Sequence, residues 1–167
     1  PFLTDPNAIQ QGYLSSEPYL IETQGGFKPE VYLLADEGYP GYANLILAPN
    51  ATIAAKPEMV RAFVEASIEG WMSYLYGDPS AGNALIKADN PEMTDDVLAQ
   101  AIEKMRTNGI VDSGDTATLG VGAMTDARFQ AFFDVMSQYG VYEMTLDWRL
   151  AFTSEFVNQG LAYGMRP

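Results

Sequence analysis

Residues 12–50 read GYLSSEPYLIETQGGFKPEVYLLADEGYPGYANLILAPN, and how they are parsed decides the fold. Glu30–Ala35 and Tyr42–Ala48 are near-continuous apolar runs of strand length, the pattern of strands buried on both faces of a sheet. A polar, aromatic turn, Asp36–Gly41, separates them. Upstream, Gly12–Ser16 reads as a short strand running into a helix over Glu17–Thr23, with Pro18 in its first turn and Gly25-Gly26 to stop it.

Outward from this segment the periodicity turns helical. Asp5-Pro6 predicts a short helix to about Gln11. Lys56-Pro57-Glu58 opens a long helix to about Tyr76, with Val60, Phe63, Val64, Ser67, Ile68, Trp71 and Leu75 at three- and four-residue steps as its apolar face. Further helices are expected over Pro79–Ala88, from Thr94 to about Thr107, from Thr125 to near Gly140, and over Asp147–Val157. Strands crowded into the first third and helices after residue 56 give an α/β class. The helices carry more apolar face than so few strands can cover, which implies further strands upstream.

Composition narrows the function classes. With 22 Asp plus Glu against 9 Lys plus Arg the net charge is −13, and the basic residues are scattered singly, so a nucleic-acid partner is not expected. The chain has no Cys and no His. That removes disulfides, thiolate or imidazole metal sites and the Ser-His-Asp triad. Any catalysis would have to use carboxylates, Tyr or Lys. No metal and no cofactor is expected. The chain begins at Pro1-Phe2, without Met or a signal sequence, as a trimmed chain or fragment would.

The residues that could meet a ligand lie in residues 12–50. Ser15 and Ser16 can offer hydroxyls at a helix start, though Ser16 equally suits an N-cap. Glu17 can face a crevice, or serve as a first-turn acid. Tyr39 and Tyr42 flank Pro40-Gly41 and suit planar or cationic ligands, although Tyr42 is also placed to pack in a core. Asp36 and Glu37 could hold a ligand amine. Trp71 and Trp148 could each serve as a ligand platform, but Trp71 falls on its helix's apolar face and is expected in the core, and Trp148, after Asp147 at a helix start, has no assignable place.

Three elements in order, GYLSSEPYLIE, ADEGYPGYANLILAPN and the helix KPEMVRAFVEASIEGW, resemble the later half of periplasmic substrate-binding proteins of ABC importers. The similar branch binds nitrate, taurine, alkanesulfonates or thiamine-pyrimidine precursors. The resemblance implies an incomplete two-lobed fold, a type II periplasmic-binding-protein lobe, with residues 1–35 ending the second lobe and carrying a crossover strand, and 36–167 returning to the first. It implies an extracytoplasmic solute-binding protein, not an enzyme, partnered by a permease. Ser15, Ser16, Glu17, Glu37, Tyr39 and Tyr42 would line the cleft. A sulfonate or nitrate calls for a cation or several N–H donors. The basic residues near these segments are Lys28 and Lys56, so an aminopyrimidine-like heterocycle suits the carboxylate and two tyrosines better. A ligand-sensing domain, or an enzyme using Glu17 or Tyr39 as acid or base, are the alternatives. An incomplete lobe would expose apolar surface, and the chain is expected to dimerise or swap elements.

Overall fold

The computed structural model of the chain describes residues 2–5 and 7–165 and contains helices and turns only; among the described residues there is no strand. The described residues form seven α-helices in order: α1 (Glu17–Gly25), α2 (Asn50–Ala55), α3 (Pro57–Tyr76), α4 (Ser80–Asp89), α5 (Asp95–Thr107), α6 (Thr116–Leu119) and α7 (Asp126–Gln138). Two 3-10 turns, Trp148–Ala151 and Tyr163–Met165, follow.

The α/β expectation, and with it the type II lobe, is therefore corrected. A strand exists only through a ladder with a neighbouring strand. The segments 30–35 and 42–48 have no such neighbour; around the first, the backbone bonds are those of a turn, Asp36 N–H to Leu33 O at 3.0 Å and Tyr39 N–H to Leu34 O at 2.9 Å. Burial fails as well, since Tyr32 is 79% and Leu47 95% exposed. An apolar run encodes a tendency to be covered, and by itself supplies nothing to cover it. Gly12–Ser16 is likewise turn and irregular backbone, and the helix expected to run to Gln11 is a single turn in its described part, Ala8 N–H bonding Asp5 O at 3.1 Å.

The chain forms two compact units. The first comprises residues 1–31 and 73–111, the second 32–72 and 112–167. In the first, α5 is the best-built element. Thr94 caps it by accepting the Val97 N–H, Asp95 and Asp96 fill the first turn, and Lys104 and Arg106 the last, each matched to the helix dipole. It buries Val97, Leu98 and Ile102, and α1 packs on it. Leu75, at the end of α3, is fully buried.

In the second unit the buried stripe of α3 is Val60, Val64, Ile68 and Met72, four residues at a strict four-residue step. Phe63 and Trp71, expected on that stripe, stand 62% and 46% exposed on its flank. Val121, Ala123 and Phe156 are also buried in this unit. Gly120 is required here: its φ is +93°, and a Cβ would lie 2.7 Å from Gly160 Cα. The close approach lets Gly160 N–H reach Leu119 O at 3.0 Å, and Asn158 adds a reciprocal pair with the Met124 backbone at 3.0 and 2.7 Å. The segment expected to be helical over Asp147–Val157 is helical only in its first turn.

Candidate functional site

The six residues singled out from the sequence fall into two groups, Ser15, Ser16 and Glu17 in the first unit and Glu37, Tyr39 and Tyr42 in the second.

In the first group the chain folds back on itself. Glu17 Oε2 accepts the Tyr13 N–H at 2.7 Å and the Ser16 hydroxyl. Gly12 makes room for this, because a Cβ there would lie 2.7 Å from Glu17 Cβ. Burial pushes the Glu17 carboxyl up, but the hydrogen bonds from the Ser16 hydroxyl, the Tyr13 N–H and its own N–H together outweigh it and hold the group below its ordinary 4.5. Ser16 occupies the N-cap position without capping, its hydroxyl being turned to Glu17. The Ser15 carbonyl accepts from Gln100 Nε2, which ties the turn to α5. Gln100 Oε1 is buried there without a hydrogen-bond partner. The Glu17 carboxylate thus organises a helix start.

In the second group Glu37 is exposed, and Tyr39 packs its ring edge-on against Phe132 at 5.7 Å. Tyr42 is committed on every side. Its hydroxyl accepts the Thr125 N–H at 3.1 Å, and its ring leans on Phe129 at 5.3 Å. The Arg128 guanidinium lies 4.3 Å from the ring centre and donates to Pro40 O at 2.8 Å and Gly41 O at 3.2 Å. Thr125, which caps α7, also donates its hydroxyl to Asp115.

From Tyr42 an aromatic column continues through Phe129, Phe152 and Trp148, of which the sequence singles out only Trp148 as a candidate ligand platform, without placing it. Phe129 stacks on Phe152 with centroids 3.8 Å apart and planes within 6°, and Trp148 lies parallel to Phe152 at 6.1 Å, again within 6°. The Arg149 guanidinium sits over the Trp148 ring at 4.3 Å. The column thus carries a guanidinium at each end, Arg128 over Tyr42 and Arg149 over Trp148. Arg128 was legible only as a helix-surface charge, since nothing in its local pattern reports that 40–42 lies beside it. Trp148 and Phe152 stand four apart across a single 3-10 turn, too short for any periodicity.

A separate recess of about 370 Å³ in the first unit is lined by Phe2, Leu3, Thr4, Asp5, Ala8 and Phe27, with Phe2 and Phe27 rings 6.2 Å apart.

The chain is similar to a riboflavin-binding protein. That relative, Riboflavin-binding protein RibY of Chloroflexus aurantiacus, is 28% identical over 159 residues, which cover 95% of this chain and 44% of the relative. The chain thus spans less than half the length of the curated relative it matches. No family model matches the chain, and no solved structure does.

Proposed function

We propose that this chain belongs to a small-molecule-binding protein whose ligand is a neutral, planar nitrogen heterocycle of the flavin type, held without chemical change. The observation that carries this reading is the likeness, along nearly the whole chain, to a protein named for binding riboflavin. The aromatic column supports it chemically. The flavin ring system is flat, electron-poor and includes a fused pyrimidinedione; it keeps the planar nitrogen heterocycle expected from the sequence but replaces the aminopyrimidine.

Charge weighs against the anionic alternatives. The chain carries −13. Among the described residues, five of its nine cations have partners: Arg61 with Glu155, Lys87 with Asp95, Arg106 over Tyr76, Arg128 on the 40–42 backbone and Arg149 on Trp148. A sulfonate or nitrate would need a cation or a set of converging donors. An extracytoplasmic location and an importer permease as partner belong to the same proposal. They rest on the ordered elements Ser16-Glu17-Pro18, Gly38-Tyr39-Pro40 and the helix from Pro57.

Calorimetric titration with riboflavin, an aminopyrimidine, taurine and nitrate tests the reading. Saturable one-site binding of riboflavin, with the ligand recovered unchanged by mass spectrometry, is the expected result. Binding of taurine or nitrate in its place, or conversion of the ligand, contradicts it.

A further inference from the structure

We propose that the Trp148 end of the aromatic column is the subsite for the ligand's ring system, and that Arg149 is the side chain an incoming ring displaces. This rests on the flavin-type reading above and gives it a location.

The two ends of the column differ. At the Tyr42 end, one guanidinium is fastened by two backbone carbonyls, the ring is in contact with Phe129, and the hydroxyl is bonded to Thr125. A further ring could stack there only by breaking several interactions together. At the other end, Trp148 is half-buried and held in orientation rather than enclosed. Its turn is fixed by Asp147, whose carboxylate accepts the Arg149 N–H at 3.2 Å and whose carbonyl accepts the Leu150 N–H at 3.1 Å. Its plane is set by Phe152, which is itself stacked on Phe129.

Arg149 is exposed, and its guanidinium rests on the indole. A cation–π contact at an exposed position is among the weaker aromatic interactions, and a broad electron-poor ring over indole replaces it with a larger contact. A displaced Arg149 remains one residue from the platform. There it can donate to carbonyl oxygens at the rim of a pyrimidinedione, as a neutral heterocycle with two such acceptors requires. Pre-orientation of Trp148 lowers the ordering cost of binding.

The test measures riboflavin affinity by equilibrium dialysis for the full chain and for Trp148→Leu, Trp148→Phe and Phe27→Ala. It adds the emission of bound flavin in a Trp71→Phe background, where Trp148 is the remaining tryptophan of two. A flavin in contact with indole is dark. Trp148→Leu is expected to weaken binding about tenfold or more, and Trp148→Phe less. Phe27→Ala, in the recess of the first unit, is expected to leave affinity unchanged. Bound flavin is dark in Trp71→Phe and brightens when Trp148→Phe is added, a readout that does not depend on the folding of Trp148→Leu. Unchanged affinity and undimmed emission overturn the subsite while leaving the flavin reading standing, as does loss of binding in Phe27→Ala alone. Absence of riboflavin binding by the unsubstituted chain overturns both.

Discussion

Tyr42 and Arg128 hold one another, the Arg128 guanidinium over the Tyr42 ring. Tyr42→Phe keeps the ring under the guanidinium but leaves the Thr125 N–H without its acceptor. It is expected to cost about 1 kcal/mol, measured by denaturant unfolding. A loss near zero would mean that solvent takes over that donor. Glu17 predicts a pH effect. Its folded carboxyl titrates below the ordinary value of 4.5, so its hydrogen bonds add stability above that value. The contribution disappears as pH falls through the lower folded value. Glu17→Gln should therefore lower stability at neutral pH, by under about 1 kcal/mol for so accessible a group, and converge with the parent chain at low pH, which flattens the acid limb of a melting-temperature profile. An unaltered acid limb would show that the Tyr13 and Ser16 bonds contribute nothing. Glu17 was visible in the sequence as either a ligand contact or a first-turn acid; its bonds to its own turn favour the second.

At the scale of elements, α3 sets the clearest contrast. Met72 is buried and Phe63 is 62% exposed, although both are large apolar residues on one helix. Met72→Ala is expected to cost about 2–5 kcal/mol and Phe63→Ala under about 1 kcal/mol, by chemical denaturation. Equal losses would mean that the buried stripe has been misplaced. The helices were legible where the sequence carries a start signal the backbone uses, as at Thr94 and Thr125, whose side chains accept from Val97 and Arg128 N–H groups. The strands were not. Glu30–Ala35 and Tyr42–Ala48 have the residues of buried strands, but pairing is a property of two segments, and no local pattern reveals that a partner is absent. The aromatic column was hidden for a related reason. Tyr42, Phe129, Trp148 and Phe152 come from a loop, a helix and a 3-10 turn, and their meeting leaves no periodic trace.

Over the chain as a whole, charge bears on which ligands can approach. A net −13 repels anions at long range, and salt screens that repulsion. If the ligand is a neutral flavin, its 5′-phosphate should bind more weakly by about tenfold at low salt, with the gap narrowing at high salt. Tighter binding of the phosphate would point to a cation site and contradict the neutral-ligand reading. The central claim, that the chain holds a flavin-type heterocycle, is tested most directly by equilibrium dialysis of riboflavin against the purified chain. Saturation at one riboflavin per chain is expected. No retention above that of a chain-free control, at concentrations where the protein is folded, would contradict it.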